Sequence, residues 1–263
     1  MPTYKFEHEF YSKTKASTSN DHLSNIEKAK VFHSFEETDK SLTQTPDLIV
    51  WISTYMTNDG FFIVDSDNQL NELVFTLKQK TQDTHEKENL KKAMPKFKGR
   101  HLHEYSLDEM KTLKPDLIKI EDVFTKYSQQ RFIINIKSNA PEIDKKFIQL
   151  IQEFKLEKKI MIYSDYDIVL KTIKETLPML NFATSISEVT RIKIFSTIHL
   201  TPAISIKGDA FVSQLKFKNR SLVNQEIIQE MKRRQKYIFL GPLSDAKDIE
   251  TATAYQPTGV IYN

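Results

Sequence analysis

A chain of 263 residues with 39% hydrophobic content can bury one large core, and roughly 250 residues is the usual length of a (β/α)8 barrel. Its 38 basic and 35 acidic side chains leave a net charge of +3, too balanced to argue for a nucleic-acid partner. The absence of cysteine excludes disulfides, thiolate metal sites, a cysteine nucleophile and cysteine lipidation; 5 glycines without a GxGxxG or P-loop argue against a glycine-rich phosphate cradle.

The N-terminus has no apolar signal-peptide core, and no stretch reaches the ~20 apolar residues of a membrane span. A cytoplasmic location is therefore expected, or a secreted one if a signal peptide has been removed. Residues 1–29 read as an N-terminal extension or the first strand, with a Ser/Thr/Asn-rich loop from Thr14 to Asn25. A short apolar run ends at His33; His8, between Tyr4 and Phe10, is the other strand-end histidine. Phe35 to Thr45 reads as a helix. Leu48 to Ser53, rich in Ile and Val and carrying Trp51, suits a strand buried on both faces. Asn58-Asp59-Gly60 is a turn signal, and Phe61 to Val64 is a second strand closed by Asp65-Ser66-Asp67. The polar, lysine-rich segment from Lys78 to Arg100 reads as a solvated helix and loop; its sharper reading is a patch for an anionic partner. His101 and His103 alternate before a helix start and lack a third metal ligand nearby.

From Arg131 onward strands and helices alternate. Arg131 to Lys137 is a strand. Pro141 to Lys155 is a helix, Ile160 to Tyr163 a strand, and Tyr166 to Leu177 a helix with Ile168, Leu170, Ile173 and Leu177 inward. Asp165 and Asp167 belong to the helix start, or hold a cation at a strand end. Leu180 to Ser185, Ala203 to Ile206 and Leu215 to Phe217 read as strands, and Ile186 to Phe195 and Ser221 to Arg234 as helices. Tyr237 to Leu240, Ala246 to Thr253 and Gly259 to Tyr262 give strand, helix and strand. Such alternation implies parallel strands with crossover helices.

The order of several pieces resembles the glycerophosphodiester phosphodiesterase family. There an apolar strand carries Glu-x-Asp, then Thr-x-Asp-Gly, then an apolar strand ends in His-Asp. Thr57-Asn58-Asp59-Gly60 fits the turn, which puts the family glutamate on Trp51, its aspartate on Ser53 and its histidine on Ser66, with Asp67 retained. Downstream, His103 to Leu113 and Leu117 to Val123 resemble the family's helix entries. Arg131 to Lys137 resembles a strand ending in Glu-Ile-Lys, with Asn135 for the glutamate and Lys137 kept. Ile160 to Ser164 and Gly259 to Asn263 resemble later strands. The resemblance runs from Asp47 to the end of the chain.

The resemblance implies an α/β fold: a single (β/α)8 TIM-type barrel of the PLC-like phosphodiesterase architecture, irregular in places, over residues 1–263, with 78–100 as a variable insertion. It implies an activity in lipid metabolism that uses a divalent cation held by carboxylates and two histidines as acid and base. Trp51 offers no oxygen, Ser53 and Asn135 offer only neutral ones, and Ser66 does not titrate near neutral pH. The expectation is a catalytically degenerate relative without a cofactor. Its remodelled mouth, formed by Trp51, Ser53, Ser66, Asn135 and Lys137, would bind a small phosphate-containing ligand or a protein partner. The alternative is an active phosphodiesterase with a displaced site. That site would use His33 or His8, Asp67 and Lys137, with Ca²⁺ or Mg²⁺ on Asp65 and Asp67.

Overall fold

In the computed structural model, residues 10, 26–65, 70, 101–217 and 220–263 are described. Their elements are β1 (Glu27–Val31), α1 (Phe35–Gln44), β2 (Ile49–Met56), β3 (Phe62–Val64), α2 (Leu107–Leu113), α3 (Ile120–Lys126), β4 (Arg131–Ile136), α4 (Ile143–Glu153), β5 (Ile160–Ser164) and α5 (Asp167–Thr176). They continue with β6 (Asn181–Phe182), α6 (Ile186–Thr197), β7 (Ala210–Ser213), β8 (Lys216–Phe217), β9 (Arg220–Ser221), α7 (Gln225–Arg233), β10 (Tyr237–Leu243), α8 (Ala246–Ala254) and β11 (Gly259–Tyr262).

Eight strands pair in parallel in the order β6-β5-β4-β2-β1-β11-β10-β7, and an Ala183–Ala210 bridge brings the two ends together. The result is a nearly closed TIM-type barrel surrounded by helices, as the alternation predicts. β3 folds back antiparallel on β2, and β8–β9 form a separate hairpin.

Strand alternation divides the apolar residues into two layers. Ala29, Val31, Ile49, Trp51, Ile133, Met161, Ala183, Ala210, Val212, Phe239 and Ile261 form one buried cluster inside the barrel. Their neighbours Val50, Ile52, Phe132, Ile134, Ile162 and Phe182 face outward beneath the helices. Every residue of β2 is buried, as its unbroken apolar run predicts. Helix starts are fixed by polar caps: Ser34 on α1, Ser185 on α6 and Asn224 on α7 each accept a backbone N–H of the first turn, and Ser106 with Glu109 forms a capping box on α2.

Phe10 and Arg131 close the N-terminal end of the barrel. The Phe10 ring meets Phe239 edge-on at 6.2 Å. Arg131 donates to the Phe10 carbonyl at 2.8 Å, to both Glu27 carboxylate oxygens at 3.1 and 2.8 Å, and to the Asp47 carbonyl at 2.9 Å. Gly259 leaves the room that Phe239 fills, since a Cβ there would stand 2.5 Å from the ring.

Three local expectations are corrected. Ala203 to Ile206 is not a strand: Pro202 starts a 3-10 turn over Thr201–Ala203, and Ile204 and Ile206 pack with the α6 and α7 side chains. The barrel strand of this region is Ala210–Ser213. Leu180 to Ser185 contracts to Asn181–Phe182. Ile168 is exposed rather than inward, because it lies two residues before Leu170 and so on the opposite side of α5 from the buried Leu170 and Ile173. The segment 78–100 lies outside the described residues. Among those described, no helix is long and apolar enough to cross a membrane.

Candidate functional site at the barrel mouth

Parallel strands deliver their C-terminal ends to one face, where a barrel keeps its chemistry. Register sets which side chains meet there. Ser53 pairs with Asn135 across β2–β4, and Asn135 pairs with Tyr163 across β4–β5. The Ser53 hydroxyl accepts from the Trp51 indole Nε1 at 3.3 Å and from the Asn135 Nδ2 at 3.4 Å. The Trp51 and Tyr163 rings lie 5.6 Å apart at 46°. Trp51, Ser53 and Asn135 are all buried, so the indole fills space inside the barrel rather than facing solvent.

Lys137 and Asp165 stand one step beyond this row. The Lys137 backbone N–H donates to the Thr54 carbonyl at 2.9 Å, continuing the sheet. Burial pushes the Asp165 carboxyl up, and the Lys137 charge pulls it part of the way back. Burial also raises the Tyr163 phenol, with a smaller push from Asp165. Asp165 does not cap α5; the N-cap is Tyr166, and Asp167 is the acidic residue of the first turn. Asp167 accepts instead from the Ser187 hydroxyl. The structure thus brings Trp51, Ser53 and Asn135 into one hydrogen-bonded group and sets Lys137 in the field of Asp165. Ser66, Asp67 and His8 lie outside the described residues.

Among the described residues, one atom of this group has no partner: the buried Asn135 Oδ1. Exchanging the two ends of the amide would satisfy the oxygen from Ser53 and orphan the nitrogen, so one end stays unmet either way. A buried amide end without a partner costs about 1–3 kcal/mol.

The described residues do not fit the divalent cation that the family resemblance implies. A hard cation needs several oxygen ligands, charged by preference. Ser53 and Asn135 supply neutral oxygens and Trp51 none. No three His, Cys, Asp or Glu side chains converge among the described residues. The Asp65 carboxylate is turned to the backbone, accepting the Leu70 N–H with both oxygens at 3.3 and 3.2 Å. His33 follows β1 and lies near the first turn of α1. Its charge adds to the Lys30 contact that holds Glu37 below the ordinary carboxylate range. The His101 and His103 rings stack on one another at 5.6 Å.

The Thr-x-Asp-Gly turn serves the fold. Gly60 has φ +86, a left-handed conformation that favours glycine. The Thr57 hydroxyl contacts both the N–H and the carbonyl of Phe61 at 3.0 and 3.1 Å. Asp59 accepts the Leu107 N–H, joining the turn to the start of α2. Sequence reasoning missed Tyr163 and left Asp165 between two roles. The signal available was positional, since both end the strand beside Asn135.

A separate cavity of about 460 Å³ lies outside the barrel between α5 and α6, over Phe182 and beside Lys171, Lys174, Arg191 and Lys207.

Fold and mouth together define a TIM-type barrel whose centre, among the described residues, is the neutral group of Trp51, Ser53 and Asn135. No family model and no curated protein matches the sequence. Solved structures do. A Silicibacter pomeroyi protein assigned to the glycerophosphoryl diester phosphodiesterases superposes with a TM-score of 0.63 at 10% identity, over 96% of this chain and 93% of its own. A glycerophosphodiester phosphodiesterase from Parabacteroides distasonis gives 0.60 at 12%, over 90% and 93%. An Oleispira antarctica phosphodiesterase in complex with its product sn-glycerol-3-phosphate gives 0.57 at 10%, over 92% and 94%. The chain is therefore similar in fold to glycerophosphodiester phosphodiesterases across about nine-tenths of its length.

Proposed function

We propose that this barrel is a catalytically degenerate glycerophosphodiester phosphodiesterase-like protein that binds a small phosphate-containing ligand at its mouth. The observation that carries the reading is the Trp51–Ser53–Asn135 group. Where the resemblance puts anionic metal ligands, the chain has a buried indole, a hydroxyl and an amide joined to one another. Such a centre needs no cation to balance it. Lys137 supplies the cation for a phosphate, with Asp165 as its neighbour. The Oleispira antarctica neighbour, held with sn-glycerol-3-phosphate, supports this chemical class of ligand.

The sole tryptophan is Trp51, so the site carries its own fluorophore. Titration with sn-glycerol-3-phosphate and with glycerophosphodiesters is expected to change Trp51 emission saturably, and Lys137→Ala to abolish the change. Hydrolysis of the same diesters with Ca²⁺, Mg²⁺ or Mn²⁺ is expected to stay at the chelator background. Cation-dependent turnover lost in Asp67→Ala would overturn the reading in favour of a displaced active site.

A further inference from the structure

The helices around the barrel pack in two clusters, and a seam opens between them at α5 and α6. Val169, Leu170 and Ile173 of α5 join Ile162 and Phe182 in one cluster. Val189 and Ile192 of α6 join Ile227, Ile228 and Ile238 in the other. The strands beneath part at the same place, where β6 meets β7 through the Ala183–Ala210 bridge rather than a ladder. The cavity left between α5 and α6, about 460 Å³, is of a size that takes a small molecule.

Its lining is amphipathic. Leu170 and Phe182 supply buried apolar surface, and Ile168 an exposed apolar edge. The lining carboxylates are charged, and each has a neighbour. Glu175 lies 3.8 Å from Lys171. Glu188 accepts the Lys207 backbone N–H and lies 3.8 Å from Arg191. Asp167 accepts the Ser187 hydroxyl. Lys174 and Lys207 complete the charged lining, so four cations face three carboxylates and one positive charge is in excess. Among the described residues the Lys207 ammonium has no hydrogen bond or ion pair. The Lys174 ammonium donates to the Lys207 carbonyl at 2.9 Å and lies 5.2 Å from the Phe182 ring centroid. The aromatic face that would attract a ligand cation is therefore already covered by one.

We propose that this cavity binds a small organic monoanion with an apolar body, a medium-chain carboxylate being the simplest case. The body lies along α5 against Leu170 and Phe182, and the carboxylate sits at the end where Lys174 and Lys207 meet. From Ile168 to Lys174 the helix advances about 9 Å at 1.5 Å per residue, which sets the length of the body. Apolar burial supplies the affinity, and the excess positive charge sets the sign of the head group. A ligand cation would have to displace Lys174 from Phe182 and would add to the excess. A phosphate monoester would bring a second negative charge for which the lining has no match. The proposal rests on this cavity alone and is independent of what the mouth holds.

The test is titration of the full chain with octanoate, read by methyl NMR. The Ile168 and Leu170 methyl signals are expected to shift saturably, and those of Ile133 and Ile261 inside the barrel to stay in place. Octan-1-ol should bind about tenfold more weakly than octanoate, and octylammonium more weakly still. Lys207→Glu reverses the charge of an exposed side chain that has no partner to lose. It should leave the thermal midpoint unchanged and weaken octanoate binding about tenfold. Four results would each overturn the proposal: no saturable shift at Ile168 and Leu170, shifts confined to the barrel interior, octan-1-ol or octylammonium binding as tightly as octanoate, or unaltered affinity in Lys207→Glu.

Discussion

Glu230 offers a sharp test of how the C-terminal half of the barrel is held together. Its carboxylate, near the end of α7, accepts from Arg233 Nη2 and Nε at 2.6 and 2.7 Å and from Arg234 Nε at 2.6 Å. Arg234 continues to the carbonyls of Ile204, Pro202 and Thr201 at 2.7, 2.9 and 3.3 Å, tying the helix to the turn that precedes β7. The Arg233 contact, reinforced by Arg234 and opposed by burial, lowers Glu230 from 4.5 to about 2. At ~1.4 kcal/mol per pH unit the shift sets a ceiling of ~3 kcal/mol on the stabilisation. Arg233 is 62% exposed, so solvent screens its share; ~2 kcal/mol is the expected net value. The carboxylate is depressed, so its contribution is complete above the unfolded value of 4.5 and is lost as pH falls toward 2. Glu230→Gln keeps the shape and removes the charge. Urea unfolding of both proteins at pH 7 and pH 3 should show a gap of ~2 kcal/mol that shrinks markedly at the lower pH. A gap that does not change with pH, or a variant as stable as the parent at pH 7, would refute the reasoning.

Arg131→Met at the closed end of the barrel removes the partner of a largely buried Glu27 and of two carbonyls, and should cost about 3–5 kcal/mol; the denaturant midpoint reads this, and Arg131→Met/Glu27→Gln should recover part of the loss. Asn135→Asp buries a carboxylate beside the neutral Trp51 and Ser53; burial should outweigh the Lys137 charge one step beyond, so its folded value should rise above the unfolded ~3.9. The destabilisation should then be absent below pH 4 and grow with pH to about 1–3 kcal/mol; melting temperatures across pH 4–8 that run parallel to the parent would contradict it.

The barrel was legible in the sequence because its signals are local and periodic. β2 reads as an unbroken apolar run and is buried throughout; α4 reads from the spacing of Ile143, Phe147, Leu150 and Ile151, all buried. β7 was misplaced for the opposite reason. Ile204 and Ile206 form a strand-like pattern, but Pro202 begins a turn and the two side chains bury against helices. Propensity cannot tell apolar residues that pair in a sheet from those that pack under one. Of the mouth, the resemblance to the family pattern offered Trp51, Ser53, Asn135 and Lys137. Asp165 was legible only as one of two readings and Tyr163 not at all, because the β4–β5 register is what brings Tyr163 beside Asn135.

The Thr57 to Gly60 turn and the Trp51 to Asn135 centre answer to different constraints. At the turn, each residue that agrees with the family pattern has a mechanical task here: Gly60 for its positive φ, Thr57 to close the loop on Phe61, and Asp59 to hold the start of α2. At the centre, the residues that depart from the pattern form a self-consistent alternative. The buried Trp51 indole donates to Ser53, at two positions where the resemblance would put carboxylates. A carboxylate placed at Trp51 or Ser53 would be buried, and burying a charge is costly unless it is paired and hydrogen-bonded. Agreement at the turn is accordingly evidence about the barrel, and it carries no weight for the chemistry of the mouth.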